Sequence, residues 1–174
     1  MNLSSLVSGG CGGFSMSIVL RMAEDADFPV MAELRAAAWG EREFWMERLI
    51  RYRLGQHSPQ HALLERAIFV ADDAGSVVGF VAGHRTRRFD CDGELQWINV
   101  VAHRRGEDVA VRLMSRMGVW FVEQQLSRVC VNVDPANRVA RRLYARCGAQ
   151  ALHEQWMVWE DARTMAESVS ADGL

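Results

Sequence analysis

Lysine is absent: all twenty basic positions of this 174-residue chain are arginine. Contacts with phosphate must therefore come from guanidinium forks or backbone N–H groups, and no lysine ammonium is available to any reagent. Only three prolines occur, with no glycine period, which excludes a collagen-like rod. No apolar run approaches the roughly 20 residues that a membrane-crossing helix needs. The net charge is −2, so nothing attracts the whole chain to nucleic acid or to an anionic membrane. The four cysteines, Cys11, Cys91, Cys130 and Cys147, form no C-x-x-C pair. Cys130 and Cys147 sit in apolar periodic segments suited to reduced, buried thiols, so a cytoplasmic location is expected. The histidines show no ligand spacing beyond His57-x-x-x-His61, and no metal is expected.

What is present is ordinary for a folded domain: 49% apolar and 24% charged residues in a length that suits one core. Residues 1–16 are rich in serine and glycine and carry neither the basic nor the apolar stretch of a secretory leader, so they read as a flexible tail. The domain is expected over 17–161, with a polar tail over 162–174. Within it the pattern alternates. A strand over 17–22 precedes a helix with Asp25 or Asp27 as its cap and Pro29 in its first turn. Trp45, Leu49 and Tyr52 mark a second helix, and residues 57–66 are ambiguous. Strands over 68–71 and 77–84 flank an Asp-Asp-Ala-Gly turn, with Gly79 and Gly83 suggesting a bulge or a close backbone approach. A strand over 94–101, a long helix from Val109, a strand over 129–133, a helix closed by Gly148 and a strand over 155–159 complete the order. This is an α+β single domain with one mixed, mostly antiparallel sheet of six to seven strands flanked by about four helices.

Two stretches carry chemistry. In the first, a strand ending at Val100-Val101 runs through Arg104-Arg105-Gly106-Glu107-Asp108 into a helix opening with Val109-Ala110. First-turn N–H groups have no partner inside their helix and lie at the positive end of its dipole, so this turn is suited to an anion. In the second, Asp134 ends a strand, Asn137 is placed to cap the next helix, and Tyr144 lies one residue past Leu143, about 100° off the apolar stripe.

Together these stretches resemble the GNAT superfamily of acetyl-CoA-dependent N-acetyltransferases. Arg105-Gly106-Glu107-Asp108-Val109-Ala110 is similar to its acyl-CoA motif, R/Q-x-x-G-x-G/A after a strand, with Asp108 where a glycine is usual. Asn137, Ala140, Leu143, Tyr144 and Gly148 match its Asn-x-x-A-x-x-L-Y-x-x-x-G pattern, and the element order from Ile18 to Asp161 follows the family layout. The resemblance implies that acetyl-CoA is the co-substrate. It implies that backbone N–H groups from Arg105 to Ala110 hold its pyrophosphate, and that Val100 and Val101 pair with the pantetheine arm. Asn137 and Tyr144 border the same site. The resemblance implies direct attack of a primary amine on the thioester, with Tyr144 as the acid toward the leaving thiolate. Glu94 is the candidate base, and a water chain, which the resemblance implies for other members, is the alternative. Six residues before Val100, it is expected on the same strand face, with a pKa raised by desolvation.

The acceptor is a small-molecule or peptide amine. Glu41, Glu43, Glu47, Asp90, Asp92 and Glu94 tilt the expectation toward a cationic one. Trp39, Phe44 and Trp45 read mainly as core aromatics, one of them lining the acceptor pocket. A homodimer is a family-level expectation. The alternative is a non-catalytic acyl-CoA-binding or sensor protein of the same fold, motivated by Asp108.

Overall fold

A computed structural model describes residues 18–106 and 108–169; the expected tail over 1–16, and Glu107, lie outside the described residues. Seven strands form one sheet: β1 (Val19–Met22), β2 (Ala62–Asp73), β3 (Ser76–Thr86), β4 (Gly93–Val100), β5 (Val129–Asn132), β6 (Gln150–His153) and β7 (Trp156–Trp159). Their order across the sheet is β1-β2-β3-β4-β5-β7-β6. Every neighbouring pair is antiparallel except β4 and β5, which run parallel. Five helices flank it: α1 (Phe28–Ala36), α2 (Arg42–Arg53), α3 (Val109–Glu123), α4 (Arg138–Arg146) and α5 (Ala162–Ala166).

Each face of the sheet owns a core. α1 and α2 bury Phe28, Met31, Trp45, Leu49 and Tyr52 against Val70, Phe80, Ala82 and Trp97. On the other face α3 inserts Leu113, Met114, Met117 and Phe121 among Phe69, Val81, Leu95, Val129 and Val131, and Tyr144, Trp159 and Met165 extend the same core. Two hundred Å² of buried apolar surface contributes about 5 kcal/mol, so cores of this kind supply the driving force for folding.

Local chemistry explains the boundaries. Pro29 stands in the first turn of α1, where its missing N–H costs nothing. The β2–β3 hairpin turns at Ala74-Gly75, both at positive φ, and the Asp72 carboxylate accepts the Gly75 N–H at 2.6 Å. The close approach expected at the strand glycines is real. A Cβ at Gly79 would meet the Asn99 carbonyl at 2.8 Å, and one at Gly83 would meet Met117 and Phe121 at 2.9 Å.

Three expectations need correction. Residues from Ala62 onward, within the ambiguous stretch, extend β2; the exposed Leu64 and Glu65 and the half-buried Arg66 hid the strand because its outer end carries no apolar alternation. β6 was not expected either: it is a four-residue edge strand with a mostly exposed, polar face. The tail expected from residue 162 begins instead with α5, whose Ala162 and Met165 are fully buried. α5 packs against α3 so closely that a Cβ at Gly118 would sit 2.5 Å from the Ala166 nitrogen.

Candidate functional site

The site begins as a defect in the sheet. β4 pairs with β5 only through Gly93, Glu94 and Leu95, opposite Val129, Cys130 and Val131. β4 continues to Val100, paired with β3 but with no strand on its other side among the described residues. The result is a free strand edge beside a cleft, able to pair with an extended ligand.

A bulge lies at the base of this edge. Trp97 stands opposite Ala82 and Leu95 opposite Gly83, so Gln96 is the extra residue. The bulge inverts the alternation of the strand. Glu94 therefore shares a face with Trp97 and Asn99, while Leu95 and Val100 face the other way. The expectation that Glu94 and Val100 share a face is wrong, because counting by twos across a bulge misplaces every residue beyond it.

Glu94 is 4% exposed. Its Oε2 accepts from Arg88 Nε at 3.2 Å and from Thr86 Oγ1 at 3.2 Å, and His84 Nε2 lies 3.7 Å away. On the other side of that ring, His84 Nδ1 shares a 3.0 Å hydrogen bond with the Tyr52 hydroxyl. Burial pushes the Glu94 carboxyl up, but the His84 ring and the Arg88 guanidinium outweigh it and hold the carboxyl below the usual range. The expected raised pKa is thus also corrected: the desolvation is present and the neighbouring polar groups overcome it.

At the far end of the free edge the chain makes one turn of 3-10 helix over Ala102–Arg104 and reaches Arg105 and Gly106, then Asp108, all exposed. Gly106 has φ +90°, and a Cβ there would meet nothing, so backbone conformation and not crowding favours glycine. Val109 and Ala110 open α3 with unpaired first-turn N–H groups. Arg104 is held by Asp73, and Arg105 Nε reaches the Val100 carbonyl at 3.4 Å. The Asp108 carboxylate does not cap the helix; it turns to Arg146 Nη2 of α4, 3.1 Å away. An anion entering this turn meets N–H groups, two arginines and one carboxylate.

α4 supplies the third part. Asn137 caps it as expected, its Oδ1 accepting the Ala140 N–H at 3.1 Å. Gly148 closes it at φ +95°. Tyr144 is the buried residue of α4, 6% exposed, with its ring edge-on to Trp159 at 5.7 Å. The expectation that Tyr144 lies off the apolar stripe is corrected, since α4 turns Tyr144 rather than Leu143 most deeply inward. Burial pushes its hydroxyl up to about 12, against the opposing influence of Arg35 from α1. Arg35 Nη1 donates to Asn99 Oδ1 on the free part of β4 at 3.2 Å.

Of the three aromatic residues near the helix pair, only Trp45 is core; Trp39 and Phe44 are 60% and 54% exposed. The arginines around Trp45 were missed by sequence reasoning. Arg35 lies 4.2 Å over its ring and Arg48 5.7 Å from it. Helical spacing alone, Arg48 three residues after Trp45, is the signal that could have found one of them. Cys91, Cys130 and Cys147 are buried. Among the described residues no group of three or more His, Cys, Asp or Glu side chains gathers around a common point. No helix there is long and apolar enough to cross a membrane.

Residues 28–149 match the family model described as the acetyltransferase (GNAT) family. Curated protein sequences give no match. Among solved structures, this fold is similar to a GNAT-family acetyltransferase from Desulfovibrio desulfuricans, at 12% identity and TM-score 0.69, covering 84% of this chain and 99% of that one. It is similar to a spermidine N-acetyltransferase variant from Vibrio cholerae, at 19% identity and TM-score 0.64, covering 87% and 98%. It is also similar to the PaiA N-acetyltransferase from Thermoplasma acidophilum in complex with coenzyme A, at 14% identity and TM-score 0.62, covering 82% and 98%.

Proposed function

The chain belongs to the acetyltransferase (GNAT) family, and from that premise we propose that it moves an acetyl group from acetyl-CoA to a primary amine by direct attack, with Tyr144 as the acid. The observation that carries this reading is the free edge of β4 ending in the Arg105–Ala110 turn; the match of Tyr144 to the family motif supports its assignment as the acid. Acetyl-CoA fits the residues present. An extended pantetheine arm pairs with the free edge up to Val100 and Val101, and the N–H groups opening α3, with Arg105, bind the pyrophosphate. Asn137 contributes by fixing the start of α4, its side-chain oxygen being committed to that cap.

In the reaction the amine nitrogen forms a bond to the thioester carbon and the carbon–sulfur bond breaks. The thiolate takes a proton, and the nitrogen loses one. Tyr144 is suited to the first transfer: held near 12, its hydroxyl stays protonated at neutral pH and can donate, and it regains its proton from solvent. Glu94 is poorly suited to the second. Its Oε2 is engaged by Arg88 and Thr86, and its charged form is stabilised, which weakens it as a base. Water carries that proton away, and Glu94 acts as a positioning residue that holds Arg88 and His84 at the bulge. Among the described residues no cysteine is placed as an acyl carrier, since Cys147 is buried at the end of α4 and Cys91 and Cys130 are buried in one cluster with Val158.

Incubating the protein with acetyl-CoA and a broad set of primary amines, and measuring free thiol and acetylated amine together, tests the reading. The expected result is equimolar release of thiol and N-acetyl product with at least one amine. Tight acetyl-CoA binding with no product from any amine would instead favour a non-catalytic sensor.

A further inference from the structure

Arg35 reaches Asn99 on the free part of β4, and Arg48 stands beside it at Trp45. Three partly buried arginines elsewhere meet carboxylates: Arg21 meets Asp27 and Asp72, Arg88 meets Glu94, Arg104 meets Asp73. Arg35 and Arg48 do not. Among the described residues neither has an acidic partner. The Nε of each is buried without a hydrogen-bond acceptor. Arg35 has one side-chain hydrogen bond, to Asn99, and both stack beside Trp45. Stacking on an indole offsets part of the desolvation of a guanidinium, but two like charges held on one ring repel each other. Burial first, and Arg48 second, pull Arg35 down to about 10, so the pair strains against its own charge. Such an arrangement is costly unless an anion completes it.

We infer that Arg35 and Arg48 bind a carboxylate carried by the acceptor, so that the acceptor is an amino acid or another amine bearing a carboxylate. The inference rests on the acetyl-transfer reading for its reaction and on the arginine pair for its specificity. Its geometry is consistent with that role. Arg35 bridges from α1 to Asn99 on the free edge of β4, the strand edge at which the thioester arm is proposed to pair, so an anion on the pair lies along that edge. Two guanidinium forks held beside one buried indole suit a planar carboxylate. The acidic residues that suggested a cationic acceptor are mostly occupied. Glu43 pairs with Arg42, Glu47 with Arg51 and Glu94 with Arg88, and Asp92 accepts the N–H groups of Ser127 and Arg128.

The test compares free L-amino acids with their carboxamides as acceptors in the thiol-release assay, with rates referred to the concentration of unprotonated amine. The expected kcat/KM ratio of acid to amide is at least tenfold for the best amino acid. In Arg48→Gln the ratio falls to within about twofold of one, while Arg48→Lys, which keeps the charge, retains an intermediate ratio. A wild-type ratio near one, a preference for diamines, or a ratio that survives in Arg48→Gln would overturn the inference. So would a preference for O-phosphoethanolamine over every amino acid, which would make the bound group a phosphate. Calorimetric titration with N-acetyl amino acids separates this inference from the catalytic one, since it needs no turnover. Binding that is lost on changing Arg48 upholds the carboxylate site even if no amine is acetylated, and an absence of binding together with an absence of selectivity sinks it.

Discussion

Asp108 stands where the family pattern has glycine, and its surroundings allow the effect of replacing it to be worked out. The side chain is 62% exposed and pairs with Arg146, itself 49% exposed, at 3.1 Å. An ion pair this wet contributes at most about 1 kcal/mol to the free protein. Its larger effect is on an incoming anion. A unit charge about 7 Å away in water acts with about 0.6 kcal/mol, reduced further by salt. Asp108→Asn removes the charge while keeping the backbone restricted, and should tighten coenzyme A binding by roughly two- to tenfold, or about 0.4–1.4 kcal/mol. Asp108→Gly should tighten it similarly but lower the stability of the free protein, through the extra backbone freedom of glycine before α3. Calorimetric titration of the three proteins at low and high salt separates the contributions: the gain of the asparagine variant should shrink as salt rises. Weaker binding by the asparagine variant would refute the reasoning, because Asp108 would then be shaping the turn and not opposing the ligand.

Glu94→Gln should lower stability near neutrality by about 1–3 kcal/mol, since Arg88 loses its buried partner. The native carboxyl lies below its ordinary value of 4.5, so its contribution is fully present above that pH and is lost as pH falls through the lower native value. The variant's melting temperature should therefore depend less on pH below about 4.5 than the wild type's; thermal melts from acid to neutral pH check this, and parallel curves would contradict it. Because Glu94 is a positioning residue here, the acid limb of the rate profile should keep its midpoint in the same variant, and its disappearance would reinstate Glu94 as the base. Gly118→Ala drives a methyl group into the α5 backbone at Ala166 and should destabilise the protein by about 1–3 kcal/mol, measured by denaturant titration. An unchanged midpoint would mean that α5 docks loosely.

The elements that carry strong local signals were legible in the sequence. Periodic apolar residues marked α2 and α3, the Asp-Asp-Ala-Gly turn marked the hairpin, and Asn137 and Gly148 marked both ends of α4. The polar outer half of β2 and the edge strand β6 were not legible, because exposed strands lose the alternation that identifies them. The site was half legible. The anion-binding turn and Tyr144 follow from motifs, since backbone N–H groups and a helix start are local features. The state of Glu94 does not. It depends on the bulge at Gln96, which reverses the strand face, and on Arg88 and His84, which only the folded sheet brings to the carboxylate. The Arg35–Arg48 pair was equally hidden, because unpaired charge is a property of tertiary neighbours and leaves no trace in spacing.

The account turns on Tyr144 acting as the proton donor at the cleft between β4 and β5, and Tyr144→Phe tests this most directly. The ring and its packing on Trp159 remain, and only the hydroxyl is lost. Turnover should fall roughly ten- to a thousandfold, in or just below the range for loss of a general acid, while the Kd for coenzyme A changes by less than about twofold. Turnover within twofold of wild type, with the chemical step shown to be rate-limiting, would contradict the assignment and leave Tyr144 as a core residue of α4.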